Sequence, residues 1–299
     1  MKTSILAICG ALILVATALA QAPTDTNENY TVDKEWAKLP AGMTWDGSTS
    51  NVAADGQGNV VVLVRTAPFF RVFTRDGDFV KAWGEAELYT EPHSVMFDHE
   101  GFIWSTDSRG HLVYKFNTDG DLLMTLGQKG VTGDNTATDL FNRPNAVAIA
   151  PNGDIYVSDG YNNARVVHFN SNGQFLGVIG GTEGSEPGQL ELPHGVVLDS
   201  AGRILVGDSA NARISVFDPD GEFVETWDAP SRGDMVISSD DTVYVSDVNA
   251  GSISVLRDGE LVETIPGLGR PHGLTLDSDG TLYASDSANR LIMKITPKN

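Results

Sequence analysis

The sequence predicts an all-β fold, a six-bladed β-propeller, on three observations. One unit of about 40 residues recurs six times along the chain, a spacing typical of propeller blades. Each unit alternates short apolar runs with turns rich in Asp, Asn and Gly, which is the pattern of antiparallel hairpins. A complete unit holds four such runs, and four strands make one blade.

The copies of the unit begin at or near six positions: Ser50, Pro92, Pro144, Pro193, Arg232 and Pro271. The three copies that begin with Pro-His are the clearest. In the fourth copy, PHGVVLDSAGRILVGDSANARISVF, we predict strands over residues 195–198, 203–207 and 213–217. A fourth strand follows another turn in every copy except the last, because the chain stops at Asn299.

The missing strand of the last blade has a candidate near the start of the chain. The segment Tyr30–Leu39 alternates apolar and polar residues and has no hairpin partner of its own. We therefore predict that this N-terminal strand closes the ring as the outer strand of the last blade, which leaves no long free sheet edge. Two wider spacings place extra residues at 127–143 and 180–192, on the face where the inner strands begin.

Composition and the ends of the chain predict its organisation and location. Residues 1–20 are typical of a secretory signal peptide, residues 21–29 of a flexible leader, and residues 30–299 form the propeller. We expect a secreted or periplasmic monomer without disulfides, because the only cysteine, Cys9, lies in the signal peptide. The net charge of −20 argues against nucleic acid or membrane partners.

Three of the six histidines share one register of the repeat. His93, His194 and His272 each follow a proline and begin the innermost strands of blades two, four and six. Alternate blades lie about 120° apart in a six-fold ring, so these imidazoles should meet at the mouth of the central channel. Three neutral nitrogens with an open fourth position are typical of a catalytic metal site. Nitrogen ligands favour Zn²⁺, with iron, copper or cobalt as alternatives. The remaining blades have other residues at this register: Ser50, Asn145 and Gly233.

The repeats resemble NHL repeats, and residues 43–295 resemble peptidyl-α-hydroxyglycine α-amidating lyase, a six-bladed NHL propeller with a zinc ion held by three histidines. PHSV at His93, PHGV at His194 and PHGL at His272 match the zinc ligands of that family. The resemblance also implies three catalytic residues: Tyr161 in SDGYNNARVV, Arg213 in GDSANARISVF and Arg65 at the end of VVVLVR. Gly273 stands where the family has a calcium-binding aspartate, so the resemblance does not extend to a structural Ca²⁺.

The resemblance implies a lyase that cleaves the C–N bond of a carbinolamide, R–CO–NH–CH(OH)–COO⁻, to an amide and glyoxylate. Its substrate is a small molecule or peptide with a C-terminal carboxylate, which arginines can clamp by paired hydrogen bonds. Two alternatives stay open. One is a different metal-dependent hydrolase such as a lactonase, and the other is a non-catalytic NHL propeller that binds a peptide or glycan.

Overall fold

The computed structural model describes residues 28–229 and 233–298, which fold into six four-stranded antiparallel sheets and contain no helix. The predicted six-bladed propeller is therefore confirmed. The predicted signal peptide and residues 21–27 of the predicted leader lie outside the described residues. Within the described residues, no helix is long and apolar enough to cross a bilayer.

The first strand, β1 (Tyr30–Asp33), belongs to the last blade, and the next twelve strands form the first three blades. Blade one contains β2 (Thr49–Ala54), β3 (Asn59–Val64), β4 (Phe70–Thr74) and β5 (Phe79–Trp83). Blade two contains β6 (Pro92–Phe97), β7 (Ile103–Asp107), β8 (Leu112–Phe116) and β9 (Leu122–Gly127). Blade three contains β10 (Ala146–Ile149), β11 (Ile155–Asp159), β12 (Arg165–Phe169) and β13 (Phe175–Gly180).

The other three blades repeat the same order from the inside of the ring outward. Blade four contains β14 (Pro193–Leu198), β15 (Ile204–Asp208), β16 (Arg213–Phe217) and β17 (Phe223–Asp228). Blade five contains β18 (Met235–Ile237), β19 (Val243–Asp247), β20 (Ser252–Arg257) and β21 (Glu260–Ile265). Blade six contains β22 (Pro271–Leu276), β23 (Leu282–Asp286) and β24 (Leu291–Pro297), and β1 is its outer strand.

The N-terminal segment joins the last blade to the first. β1 pairs antiparallel with β24, and Asn29, assigned above to a flexible leader, donates a hydrogen bond to Glu263 at 2.8 Å. The strand is shorter than the predicted Tyr30–Leu39 because it ends at Asp33. The chain then turns so that Trp36 is buried between blades one and six, with its Nε1 donating to the Arg75 carbonyl.

The hydrophobic core is divided among the spaces between neighbouring blades. Each of the six buried clusters in the described residues combines side chains from two adjacent blades, and the cluster that contains Trp36 joins blades one and six. Burial of apolar surface between blades is thus the main force that holds the ring closed. A rigid ring of this kind fixes the positions of residues at the mouth of its channel.

Candidate metal centre

The three histidines of the shared register meet on the axis of the ring. In each of their strands, β6, β14 and β22, one extra residue relative to the partner strand makes a β-bulge directly after the proline. A bulge bends a strand and redirects its side chains, and here it lies at the histidine. The ring centroids of His93, His194 and His272 are 5.0, 5.0 and 5.3 Å apart. One ring nitrogen of each lies within 4.8 Å of the other two.

Backbone carbonyls of the intervening blades orient the imidazoles. Nδ1 of His93 lies 2.9 Å from the Asn145 carbonyl oxygen, and Nδ1 of His272 lies 2.9 Å from the Ser50 carbonyl oxygen. The equivalent carbonyl for His194 belongs to Gly233 and raises the pKa of His194, although the pair lacks good hydrogen-bond geometry. A nitrogen that faces a carbonyl carries the proton, so Nε2 of His93 and of His272 keeps its lone pair for a ligand.

The surroundings of the histidines favour the neutral imidazole. Burial, followed by the neighbouring His194 and His272, holds the pKa of His93 well below its usual range. Burial and the charge of His272 lower the pKa of His194 to about 3. Burial lowers the pKa of His272 to about 4, and the charges of Arg65 and Arg270 act in the same direction. All three rings are therefore neutral near pH 7, the form that binds metal ions.

These three residues fit a divalent transition metal ion. Two of the rings have a fixed tautomer, all three are neutral, and their ligand nitrogens are grouped closely. Such a group can supply three corners of a tetrahedron and leave the fourth for water or substrate, the arrangement of catalytic zinc sites. In the described residues, no other group of three His, Cys, Asp or Glu side chains is arranged to hold a metal ion.

The predicted catalytic Tyr161 lies beside the histidines, in the loop after β11. Its hydroxyl is 2.9 Å from Nε2 of His93 and 3.4 Å from Nε2 of His194. Because Nδ1 of His93 carries the proton, the Tyr161 hydroxyl donates to Nε2 of His93. Burial raises the pKa of Tyr161, and the guanidinium groups of Arg65 and Arg143 oppose this shift. A phenol that is hydrogen-bonded to His93 therefore stands at the mouth of the candidate metal centre.

Two arginines reach the same mouth. Arg65, predicted as an active-site residue, follows β3. Burial lowers the pKa of His93 and of His272, and the charge of Arg65 adds to both shifts. Arg143, which the sequence analysis did not identify, lies with its guanidinium 4.7 Å from the centre of the Tyr161 ring. The two side chains share an acidic neighbour, because Glu91 lies 3.0 Å from Nη1 of Arg65 and 3.6 Å from Nη2 of Arg143.

The assignment of Arg213 as a catalytic residue needs correction. Its Nε donates to Asp208 at 2.9 Å, and its two terminal nitrogens donate to the carbonyls of Ser185 and Gln189. Every nitrogen of the guanidinium is thus used to hold the insertion before β14 against the blade. Arg165 makes the same kind of contacts one blade earlier, with Asp159 and two carbonyls of the insertion before β10. The three guanidinium nitrogens of Arg213 are therefore each engaged by the protein itself, which favours a structural role over the predicted catalytic one.

A positional signal identifies the residues that were missed. Glu91, Arg143 and Arg270 each directly precede a proline near the start of an inner strand, and that proline is followed by histidine or asparagine. This position is two residues before the histidine register, so its side chains surround the mouth of the channel above the imidazoles. A comparison of this register in all six blades, in addition to the histidine register, would have identified Glu91 and Arg143 as charged residues next to the site.

The layer of residues below the histidines closes the floor of the site. Nδ2 of Asn51 donates to Oδ2 of Asp234 across the channel at 2.8 Å. Burial raises the pKa of Asp234 to about 6. A Cβ atom on Gly273 would lie 2.5 Å from Asn51, so a side chain at position 273 would require Asn51 to move. Below this layer the channel continues as a cavity of about 310 Å³, lined mainly by apolar residues of the inner strands.

Comparisons with known proteins agree with this fold and point to two kinds of relative. The sequence profile described as NHL repeat matches residues 141–169 and 190–217. The human protein named NHL repeat-containing protein 3 is 30% identical over 90% of this chain and 85% of its own length. A Caenorhabditis elegans protein named probable peptidyl-alpha-hydroxyglycine alpha-amidating lyase is 26% identical over 85% of this chain and 77% of its own length.

Among solved structures, that of virginiamycin B lyase from Staphylococcus aureus superposes with a TM-score of 0.64. The match covers 89% of this chain and 99% of that protein, at 13% sequence identity. Such low identity supports the shared propeller fold alone. Function must therefore be inferred from the residues at the mouth of the channel.

Proposed function

The chain belongs to the family of NHL repeat-containing proteins, and from this premise we propose that it is a metal-dependent lyase of the amidating-lyase type. Its substrate would be an α-hydroxyglycine-type carbinolamide, R–CO–NH–CH(OH)–COO⁻, and its products an amide and glyoxylate. The observation that carries the proposal is the hydroxyl of Tyr161 at 2.9 Å from Nε2 of His93, one of three neutral imidazoles that converge on one point.

In this proposal His93, His194 and His272 hold a divalent ion, Zn²⁺ in the first place. When bound, the ion supplies a positive charge that lowers the pKa of a substrate hydroxyl beside it. The backbone carbonyls of Asn145 and Ser50 keep two of the rings aimed at the axis. The protein therefore needs no rearrangement of these rings before the ion binds.

Tyr161 is the residue placed to move the proton. The reaction breaks the O–H and C–N bonds of the carbinolamide carbon, forms the C=O bond of glyoxylate and leaves a proton on the amide nitrogen. Tyr161 takes the proton from the hydroxyl group and returns it to the departing nitrogen, so the step consumes no other reagent. Burial raises the pKa of Tyr161, and the positive charges of Arg65 and Arg143, together with that of a bound ion, would oppose this shift and favour the phenolate that accepts the proton.

The proposal is tested with the mature chain, loaded with Zn²⁺ and incubated with N-benzoyl-α-hydroxyglycine. We expect glyoxylate and benzamide in equal amounts, and neither product from a His194→Ala variant. His168→Gln is the matched control, because His168 lies outside the centre, stacked on Tyr156 and paired with Asp154. A wild-type protein that binds one Zn²⁺ per chain and yet leaves this substrate intact would falsify the lyase assignment.

A second candidate is a non-catalytic recognition propeller, and the 30% identity to a relative whose name states no reaction favours it. This candidate expects no retained metal after dialysis, and binding of the partner that is unaffected by His194→Ala. The three converging imidazoles argue against it, because burying three polar rings without a ligand costs stability. Metal analysis of the dialysed protein separates the two candidates before any assay.

We also propose that the mature protein works outside the cytoplasm, after removal of a signal peptide of 20 or 22 residues. The apolar run Ile5–Ala20, which ends in Ala18-Leu19-Ala20, supports this. The mass of the protein recovered from its native host tests it, because cleavage leaves Gln21 or Pro23 at the new N-terminus. Recovery of the full-length chain from the cytoplasm would contradict it.

A further inference from the structure

Four charged side chains form a cluster at the mouth of the metal centre: Arg65, Glu91, Arg109 and Arg143. Glu91 lies at its middle, 3.0 Å from Nη1 of Arg65, 2.7 Å from Nε of Arg109 and 3.6 Å from Nη2 of Arg143. Three guanidinium groups against one carboxylate leave an excess of positive charge. The chain as a whole has 40 acidic and 20 basic residues, so this local excess runs against its composition. An excess of this sign beside a metal centre attracts anions.

Arg65 and Arg143 also have hydrogen-bond donors without partners. Among the residues that the structure describes, none accepts a side-chain hydrogen bond from Arg143, and Nε of both arginines is buried without an acceptor. Arg165 and Arg213, by contrast, use all their guanidinium nitrogens on carboxylates and carbonyls. Nε of Arg71 and of Arg75 also lacks an acceptor with good hydrogen-bond geometry, but each of these residues donates from a terminal nitrogen, which Arg143 does not do within the described residues. Buried donors without acceptors are costly, so their retention points to a ligand that supplies the acceptors.

The backbone holds Arg143 in this position. Arg143 has a φ of +68°, a left-handed conformation that non-glycine residues rarely adopt, and its amide donates to Nδ1 of His111 at 3.1 Å. Such a conformation persists only when its surroundings enforce it. It places the guanidinium against the face of Tyr161, whose hydroxyl contacts Nε2 of His93. A carboxylate bound to Arg143 therefore lies next to the point where the three imidazoles converge.

We propose that Arg65 and Arg143 together form the carboxylate-binding site of this protein, with Glu91 holding the two guanidinium groups in position. The inference rests on the proposed function and defines its substrate class: the free α-carboxylate is required beside the reacting carbon, and the ester or amide is rejected. Arg143 takes the role that the sequence resemblance assigned to Arg213. Arg109 acts through Glu91, because its own Nε is used by that carboxylate.

The test uses hippurate, an unreactive N-acylglycine, and its uncharged methyl ester as probes of the Zn²⁺-loaded protein. We expect Arg143→Gln to weaken hippurate binding at least tenfold in titration calorimetry, Arg143→Lys to weaken it less, and neither to change binding of the ester by more than twofold. The control is Arg203→Gln, which removes the same charge at a turn on the opposite face, where Arg203 pairs with Asp199. This control should bind hippurate as tightly as the wild type.

The outcomes separate this inference from the lyase proposal. If wild-type protein binds hippurate through Arg143 but releases no glyoxylate from the hydroxylated substrate, the carboxylate-binding site is supported and the proposed lyase reaction is wrong. If glyoxylate is released and Arg143→Gln binds hippurate as tightly as the wild type, the inference is overturned and the reaction stands. The inference is also overturned if the variant loses hippurate and its ester equally, or if the wild type binds no hippurate.

Discussion

Nδ1 of His93 lies 2.9 Å from the carbonyl oxygen of Asn145, the residue at the same register of the next blade. His272 and Ser50 repeat this relationship across the ring. The carbonyls of blades without a histidine thus orient the imidazoles of blades that have one. Blades two, four and six contribute the three imidazoles, and blades three and one contribute the carbonyls that orient two of them, so alternation around the ring matters for the candidate metal centre.

The first prediction is that Zn²⁺ affinity is nearly independent of pH between 7 and 5. Protons compete with the metal only near the pKa of each ligand, and the pKa values of His194 and His272 are lowered to about 3 and about 4. Three histidines with an ordinary pKa would lose on the order of 10⁴-fold in affinity over this range. Competition titrations with a chelator of known pH dependence measure the affinity. A loss above about tenfold at pH 5 would contradict the prediction.

The second prediction concerns the stability of the metal-free protein. Below pH 6.5 the unfolded chain protonates His194, whereas the folded chain does not until the pH approaches 3, so the unfolded state binds more protons and stability falls as pH falls. Between pH 7 and 5 this costs about 2 kcal/mol for one such histidine. His194→Gln should therefore lose about 2 kcal/mol less than the wild type over this range. Urea unfolding at the two pH values measures the difference, and parallel losses would refute it.

The ring and the convergence of its three histidines could be predicted from the sequence because both depend on a local unit that repeats. The turns, the apolar runs and the Pro-His step each lie within about 25 residues, and closure of the ring then brings equivalent positions together. His93, His194 and His272 are far apart in the chain, but their common register determines where they meet. The symmetry of the ring therefore predicts contacts between residues that are distant in the chain, which a single sequence does not otherwise reveal.

The proposed carboxylate site could be predicted only in part, because the repeat places Glu91 and Arg143 at one register but does not determine the directions of their side chains. Arg165 and Arg213 occupy equivalent positions, and the direction of their side chains depends on insertions whose carbonyls happen to face them. The position of Arg143 depends on a left-handed backbone conformation at a residue before proline, which no apolar pattern indicates. Trp36 is similar, because its burial between blades one and six ends β1 earlier than the alternation predicts.

The third prediction separates the structural arginine from those at the mouth. Arg213→Gln leaves Asp208 buried without its cation and frees the insertion before β14, and breaking a buried pair costs about 3 kcal/mol. We expect thermal unfolding several degrees below that of the wild type, with hippurate binding unchanged at a temperature where both are folded. Arg143→Gln should show the reverse, an unchanged unfolding temperature with weakened binding. A weakened hippurate affinity in folded Arg213→Gln would return Arg213 to the binding site.

The fourth prediction tests the proton transfer assigned to Tyr161. Tyr161→Phe removes only the hydroxyl that contacts His93 and His194, so the ring still supports the guanidinium of Arg143. Loss of a general acid or base of this kind lowers kcat by about 10² to 10⁴. Zn²⁺ content and hippurate affinity should stay within about twofold of the wild type, because neither depends on the hydroxyl.

Equal kcat values for Tyr161→Phe and wild type would assign the proton transfer to another group, whereas loss of Zn²⁺ would make Tyr161 a support of the metal centre. The pH profile of kcat distinguishes a proton-transfer role from a structural one, since only the former removes a titration step when the hydroxyl is absent.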